Sequence, residues 1–412
     1  MVLRVLFSEG SSLTAREFLS VLGPQGHHIE IADPNPACIC RFSRWTKRVH
    51  PCPPSGSDPQ GYLEKIKALL SSGEFDILLP THEQAWLFAA AGERLDWRVQ
   101  PAVAPAQSFA RVQSKIEFAR LLDELHLPQP AWEIVATPTV LTQRPTPYYL
   151  KTPYSTAGSG VRRVDRPKEA VVIFDTLKRA ANGQQIMLQA PIDGRYAQVQ
   201  ALFDHGRLVA AHTSAQTAVG IGPSAAGRES IDHPFAREEV ARLGKCLEWH
   251  GGLTLDYIIQ GRAHFYIECN PRTVEPANAA ASGVDLAGLQ LELSLGKHPA
   301  DTPAGRPGVK THSALAILLG TAVYQRKRSA VLRDLLHLLG HRYPSVDSHE
   351  RLTPIAQDFP SILPFIVGAG YALISPQAAE RLSQSTVKNY SVPADAIEKL
   401  AKERAARDLS IK

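Results

Sequence analysis

Alternate side chains of a β-strand share a face, so in HFYIECNPR (residues 264–272) Glu268 and Asn270 project together while Ile267 and Cys269 project the other way. Two oxygen donors then converge on one spot. The run GLTLDYIIQGRAHFYIECNPR (252–272) reads as a hairpin. A three-residue turn, 260–262, pairs Ile259 with Ala263, sets Asp256 opposite Tyr266 and puts it on the face of Glu268. Five loop residues give the same face and two or four the other, so this reading requires an odd loop. Asp256, Glu268 and Asn270 are then hard oxygen ligands of the kind Mg²⁺ (or Mn²⁺) takes together with phosphate oxygens and water. Spacing alone leaves open three ordinary polar residues on a surface hairpin. Asn-Pro-Arg ends the strand and returns Arg272 to the same space, where its guanidinium could hold phosphate oxygens bidentately, with Glu275 and Asn278 within reach.

A second set of residues points to phosphate. The loop STAGSGV (155–161) carries Gly158, Ser159 and Gly160, and a glycine's missing Cβ lets backbone N–H groups approach an anion. Lys151 is a lone charge closing the apolar strand PYYLK, and Lys115 follows Ser114 at a helix start, S-x-x-E with Glu117. A cation in a first helical turn opposes the helix dipole, at a cost of roughly 0.3 kcal/mol or more unless an anion sits nearby. One nucleoside triphosphate site accounts for these features more economically than four coincidences.

The elements that must position these residues follow from hydrophobic period and turn chemistry. In 412 residues, 44% hydrophobic and 21% charged, a folded α/β protein of several domains is the default. Residues 1–104 alternate apolar strands (LRVLFSE, HIEIADP, FDILLPT) with amphipathic helices and read as a small doubly wound parallel-sheet domain. No G-x-G-x-x-G follows its first strand, so a dinucleotide site is not expected, and Asp33 reads as a loop residue. Residues 105–190 hold a helix that the LPQP segment stops, the Lys151 strand, the Gly-rich flap, a helix over 168–181 and the strand IMLQAPI. Residues 191–298 hold strands AQVQALF and RLVAAHT turning at Gly206, a loop-like stretch 224–233, a helix over 234–249, the hairpin and a helix over 285–296. Residues 299–412 read as mostly helical, and the apolar stretch 361–375 as a helix buried on the core rather than a membrane-surface segment, since Pro364, Gly368 and Gly370 interrupt it.

The net charge of +5 is spread without like-charge blocks, which excludes a nucleic-acid tail and suits anionic small substrates. Five cysteines (Cys38, Cys40, Cys52, Cys246, Cys269) without C-x-x-C spacing point to a reducing, cytoplasmic setting, and no apolar run is long enough for a signal or a membrane span. G-x-S-x-G and hydrolase triads are absent, which is no objection to phosphoryl transfer, where positioning and charge neutralisation do most of the work.

With these motifs in order, the chain resembles the ATP-grasp superfamily, in the branch of the carbamoyl phosphate synthetase large chain and biotin carboxylase. The resemblance runs over residues 1 to about 300, through SKIEFARLLDELHLPQP, YYLKTPYSTAGSGV, MLQAPIDG and DYII…YIECNPR. It implies a fold in which an N-terminal doubly wound domain precedes two α+β subdomains and a mostly helical C-terminal region. By resemblance Lys115 and Lys151 contact the nucleotide phosphates and adenine edge, the hinge of Gln189, Ala190 and Ile192 reads adenine, and Gly158, Ser159 and Gly160 close over the phosphates. Glu268 and Asn270 bind the metals, with Asp256 in the upstream ligand's place, and Arg228 in GPSAAGRES resembles the basic residue near the transferred phosphoryl group. Two departures stand out: Gln189 replaces a usual Glu, and Tyr196 falls where a second Glu near the ribose is common, leaving Asp193 as a substitute.

The implied activity is that of an ATP- and Mg²⁺-dependent carboxylate–amine ligase working through an acyl phosphate. Its partners are a small-molecule carboxylate and amine, with no nucleic acid or membrane, and a homodimer is allowed. Alternatives are a bicarbonate-activating carboxylase and a non-catalytic ATP-binding module. Substrate selection is expected on loops within 213–230 and 275–285.

Overall fold

The computed structural model describes residues 1–412 except 93–98, 156–157, 222–223, 341–346, 376–385 and 398–412, and every structural statement below concerns the described residues. Among them, three sheets carry the architecture. The first is parallel, ordered β3-β2-β1-β4, from β1 (Arg4–Phe7), β2 (His28–Asp33), β3 (Thr46–Pro51) and β4 (Ile77–Leu79). Strands β1 and β4 carry the buried apolar runs VLF and ILL, as a parallel sheet covered by helices requires, while β2 alternates Ile29 and Ile31 with polar His28 and Glu30. The edge strand β3, TKRVHP, escaped the hydropathy reading because its charged side chains face solvent. Helix α1 (Leu13–Leu22) starts where Ser12 Oγ accepts from the Ala15 N–H at 3.0 Å. Asp58 caps α2 (Pro59–Ser71) in the same way, and α3 (Gln84–Ala91) completes this layer. Asp33 is buried and accepts from Gly10 N (2.8 Å), Asn35 N (2.7 Å) and Ser11 Oγ (3.0 Å), so it fastens the first loop.

Helices α4 (Ala106–Gln113) and α5 (Lys115–Glu124) lead to the second sheet, antiparallel in the order β5-β8-β6-β7. Its strands are β5 (Trp132–Val135), β6 (Tyr148–Lys151), β7 (Val161–Val164) and β8 (Ile186–Gln189), with α6 (Ala170–Ala180) packed on Leu150 and Leu188 through Phe174 and Leu177. The third sheet, β13-β12-β9-β10-β11-β14-β15, is built from β9 (Arg195–Asp204), β10 (Arg207–Val219), β11 (Ala225–Ser230), β12 (Gly251–Gln260), β13 (Ala263–Asn270), β14 (Lys310–His312) and β15 (His349–Glu350). The turn between β9 and β10 falls at His205 and Gly206, both at positive φ (47° and 83°), as a two-residue hairpin needs. Helix α7 (Pro234–Cys246) covers one face of this sheet, burying Trp249, Phe203 and Leu253 beside it, while α8 (Ala277–Ser282) and α9 (Leu286–Ser294) follow the hairpin.

Two expectations are corrected here. The stretch expected as loop-like forms β11, antiparallel to β10. Small residues gave it no strand signature, yet they are what close pairing needs: a Cβ on Gly227 would come within 2.6 Å of Thr217 Oγ1. The apolar stretch 361–375 is indeed helical, as α12 (Ile362–Ile374), but it packs on helices α10 (Ala314–Gln325) and α11 (Arg328–Leu339) rather than sinking into the core. Gly368, Ala369 and Ala372 are buried, while Leu363, Ile366, Val367 and Ile374 stay exposed. No helix among the described residues is long and apolar enough to cross a membrane.

Strands β14 and β15 bring chain from beyond residue 299 into the third sheet, and a buried ion pair fixes that region to the first domain. Arg16 Nη2 lies 2.6 Å from Asp358 Oδ2, both side chains fully buried, and Asp358 Oδ1 accepts the Arg44 N–H at 2.8 Å.

Candidate active site

The β12–β13 hairpin reaches the expected pairing of carboxylates by a different route. Gln260 pairs with Ala263, so the turn has two residues, Gly261 and Arg262, with Gly261 at φ 61°. This even loop overturns the odd-loop requirement, and Asp256 does not face Tyr266. A β-bulge at Ile267 changes the phase after Tyr257↔Tyr266, so Asp256 pairs directly with Glu268 and Thr254 with Asn270. Spacing could not show this, because an extra residue in one strand leaves no mark in hydropathy.

Burial and like charge set the two carboxylates apart. The Asp256 carboxyl is pushed up to about 7, first by burial and then by Glu268, against hydrogen bonds from Gln198 and Tyr196. Burial also pushes Glu268 upward, but the Lys115 and Lys151 ammonium groups outweigh it and hold Glu268 below the usual range. Lys115 Nζ stands 2.9 Å from Glu268 Oε1 and donates to Ser155 O at 3.3 Å. Lys151 Nζ donates to the carbonyl of the bulged Ile267 at 3.4 Å, and burial lowers its ammonium to about 8.

Gln198 Nε2 donates to Asp256 Oδ1 at 2.9 Å, Asn270 Nδ2 to Asp256 Oδ2 at 3.2 Å, and Gln198 Oε1 is buried without a partner. Two opposed carboxylates, flanking amide oxygens and an orphaned oxygen fit a hard divalent cation, which would relieve the repulsion that raises Asp256. Gln198 was missed in the sequence; the available signal was polar Gln198 and Gln200 alternating with apolar neighbours in AQVQALF.

Arg228 and Arg272 line the same cavity as this pair. Arg228 lies on strand β11 instead of in a loop, is buried, and ion-pairs with Glu275, while its Nε has no partner. Glu275 holds left-handed backbone (φ 49°), uncommon for a non-glycine residue and retained here by its own ion pair. Behind them Glu17, on α1, accepts the Ala277 N–H at 3.0 Å, and burial followed by the Glu275 charge lifts its carboxyl to about 8. Arg272 Nη1 donates to Thr14 Oγ1 at 3.3 Å. Asn278 is committed elsewhere, to His212, Val309 O and Thr311.

One cavity of about 1270 Å³ brings these groups together, with Lys115, Gly158, Ser159, Arg228, Asp256, Glu268, Asn270 and Arg272 in its walls. Lys151, Gly160, Gln189, Ala190, Ile192 and Asp193 do not line it. Gly160 sits at the root of the flap, where a Cβ would meet Thr152 Oγ1 at 2.0 Å, and flap residues 156 and 157 lie outside the described residues. Gln189 is buried at the end of β8, Ala190 N donates to Ala131 O at 2.8 Å, and exposed Asp193 offers its carbonyl to Gln260 at 3.0 Å.

No protein-family model matches the chain. Over 202 residues it is 22% identical to the carbamoyl phosphate synthase large chain of Thermoanaerobacter pseudethanolicus, covering 45% of this chain and 19% of that protein. Pyruvate carboxylase 1 of Caenorhabditis elegans is 25% identical over 182 residues, 40% of this chain and 15% of that protein. The chain therefore matches about a fifth or less of each relative's length. Among solved structures, the biotin carboxylase domain dimer of Hydrogenobacter thermophilus 2-oxoglutarate carboxylase, in complex with MgADP, ADP and bicarbonate, superposes with a TM-score of 0.60 at 15% identity, covering 75% of this chain and 74% of that one. The L-amino acid ligase of Bacillus licheniformis gives 0.55 at 14% identity, covering 73% and 76%. The chain thus shares its fold with biotin carboxylase and the L-amino acid ligase, and part of its sequence is similar to the carbamoyl phosphate synthase large chain.

Proposed function

We propose that this protein is an ATP-dependent carboxylate–amine ligase. The observation that carries the reading is that the walls of one cavity hold both the paired carboxylates Asp256 and Glu268 and the two arginines Arg228 and Arg272. A carboxylate oxygen of the substrate attacks the γ-phosphorus, ADP leaves, and an acyl phosphate results. The amine nitrogen then attacks the acyl carbon, phosphate departs with the former carboxylate oxygen, and the surplus amine proton leaves to solvent.

Mg²⁺ or Mn²⁺, held by Asp256, Glu268 and Asn270, would neutralise the β- and γ-phosphates. Lys115, Lys151 and the backbone of Gly158, Ser159 and Gly160 bind the phosphate chain, and the hinge of Gln189, Ala190 and Ile192 takes adenine. Tyr196 is engaged by Gln198 at 2.9 Å, which leaves Asp193 for the ribose. Arg228 and Arg272 act where charge develops on the transferred group, the position at which preorganised donors are worth most. The Hydrogenobacter domain is a dimer, and the proposal extends to a homodimer of this chain.

A bicarbonate-activating carboxylase is the second reading, favoured by the bicarbonate in that same structure. One experiment separates the two. With MgATP and hydroxylamine, a ligase converts a panel of carboxylic acids to hydroxamates as ADP is released, whereas a carboxylase releases ADP only with bicarbonate and a non-catalytic module releases none.

A further inference from the structure

The cavity is larger than the polar groups need, and its far wall has another character. Helix α10 contributes Leu315, Leu319 and Val323, spaced i, i+4, i+8, which is one stripe roughly 12 Å long at 1.5 Å per residue. Helix α12 sets Leu363, Pro364 and Val367 beside it, and Leu13, Ile39 and Phe42 of the N-terminal domain close the third side. Lys388 adds one exposed cation to this lining.

The wall is built rather than incidental. Gly368 lets α12 meet α10 closely, since a Cβ there would fall 2.4 Å from Leu315 Cδ1. Gly320 seats α10 on the sheet, where a Cβ would fall 2.6 Å from the Gly220 carbonyl. The stripe is thereby fixed relative to β10 and β11, and Arg228 stands on β11. An apolar surface left in a water-filled cavity is unfavourable, and one continuous with a phosphoryl-transfer site is suited to a ligand apolar at one end and anionic at the other.

We infer that the activated carboxylate carries a long aliphatic tail that lies between α10 and α12 while its carboxylate reaches Arg228 and Arg272. This rests on the ligase reading and names its substrate class. Bicarbonate or a short polar acid would leave the wall wet, whereas a straight acyl chain covers the stripe along its length.

The test uses acetate, hexanoate, octanoate, decanoate and glutamate as probes, with MgATP and hydroxylamine, reading ADP release and hydroxamate formation. The full chain should show kcat/KM rising about fourfold per added methylene from hexanoate to decanoate, from the transfer free energy of a CH₂ group. Val367→Glu, on a half-exposed position, should lower decanoate kcat/KM at least 30-fold with MgATP affinity and melting temperature unchanged, and Val367→Leu should retain it. Calorimetry of decanoate without ATP makes the two readings separable. Decanoate binding that Val367→Glu abolishes, with no hydroxamate from any acid, leaves the wall assignment standing and defeats the ligase. Highest kcat/KM on acetate or glutamate, or decanoate binding and turnover indifferent to Val367→Glu, overturns the aliphatic tail and leaves the ligase intact.

Discussion

The floor and the far wall of the cavity are held by different physics. On the floor, Asp256, Glu268 and Asn270 sit on paired strands whose register fixes each side chain against a named neighbour, and charge is balanced residue by residue: Lys115 against Glu268, Arg228 against Glu275. On the wall, α10 and α12 meet through glycine and small aliphatic side chains, and one face of α12 is left open to the cavity and solvent. Directional bonds make the floor intolerant of substitution, since removing one partner strands a buried charge. Non-directional contacts make the wall adjustable, which suits a surface that selects substrate rather than performing chemistry.

The sharpest test of that contrast is Glu268→Gln. It should cut ATP turnover ~1000-fold and, by leaving the Lys115 ammonium buried without its carboxylate, also lower the melting temperature, measured by coupled ADP release and calorimetry; turnover within tenfold of wild type would break the contrast on the floor side. Arg272→Ala should lower kcat ~100-fold with MgATP affinity changed about threefold or less, because the role proposed for it grows as charge develops on the phosphoryl group. A matched loss of affinity would make it a ground-state contact.

A stability experiment then asks whether the wall has one rigid anchor. Asp358→Asn leaves Arg16 charged and fully buried at the junction with the N-terminal domain, and urea unfolding should show a loss of ~3 kcal/mol. A further effect is in pH. Protons compete with a divalent cation for Asp256, whose carboxyl lies at about 7, so Mg²⁺-dependent ATP affinity should rise about tenfold per unit from pH 5 to 7. It should then fall above pH 8 as Lys151, at about 8, loses its charge in the free protein. A flat profile would contradict the burial of both groups.

Much of the floor was legible because strand alternation is a two-residue rule and charges inside apolar runs are conspicuous. Glu268 and Lys151 were singled out that way, Lys115 by its place in a first helical turn and Arg272 by the Asn-Pro-Arg that ends the strand, and the doubly wound first domain followed from alternating strands and helices. What escaped was set by long-range packing. The bulge at Ile267 and strand β11 depend on partners distant in sequence. The wall escaped for a further reason: ALAILLGTAVYQ and ILPFIVGAGYALI are apolar almost all round, so neither sequence says which face meets the cavity. Substrate selection was expected on 213–230 and 275–285, whereas α10 and α12 add Leu315, Leu319, Val323, Leu363 and Val367 to the cavity's apolar lining.

The central claim is that a substrate carboxylate oxygen takes the γ-phosphoryl group of ATP. An acid that supports ADP release, prepared with ¹⁸O in its carboxylate, tests this most directly when the released phosphate is weighed by mass spectrometry after single turnover with hydroxylamine. The account predicts one ¹⁸O in each phosphate and one lost from each acyl product. Unlabelled phosphate, with both ¹⁸O atoms retained in the acid, would contradict it.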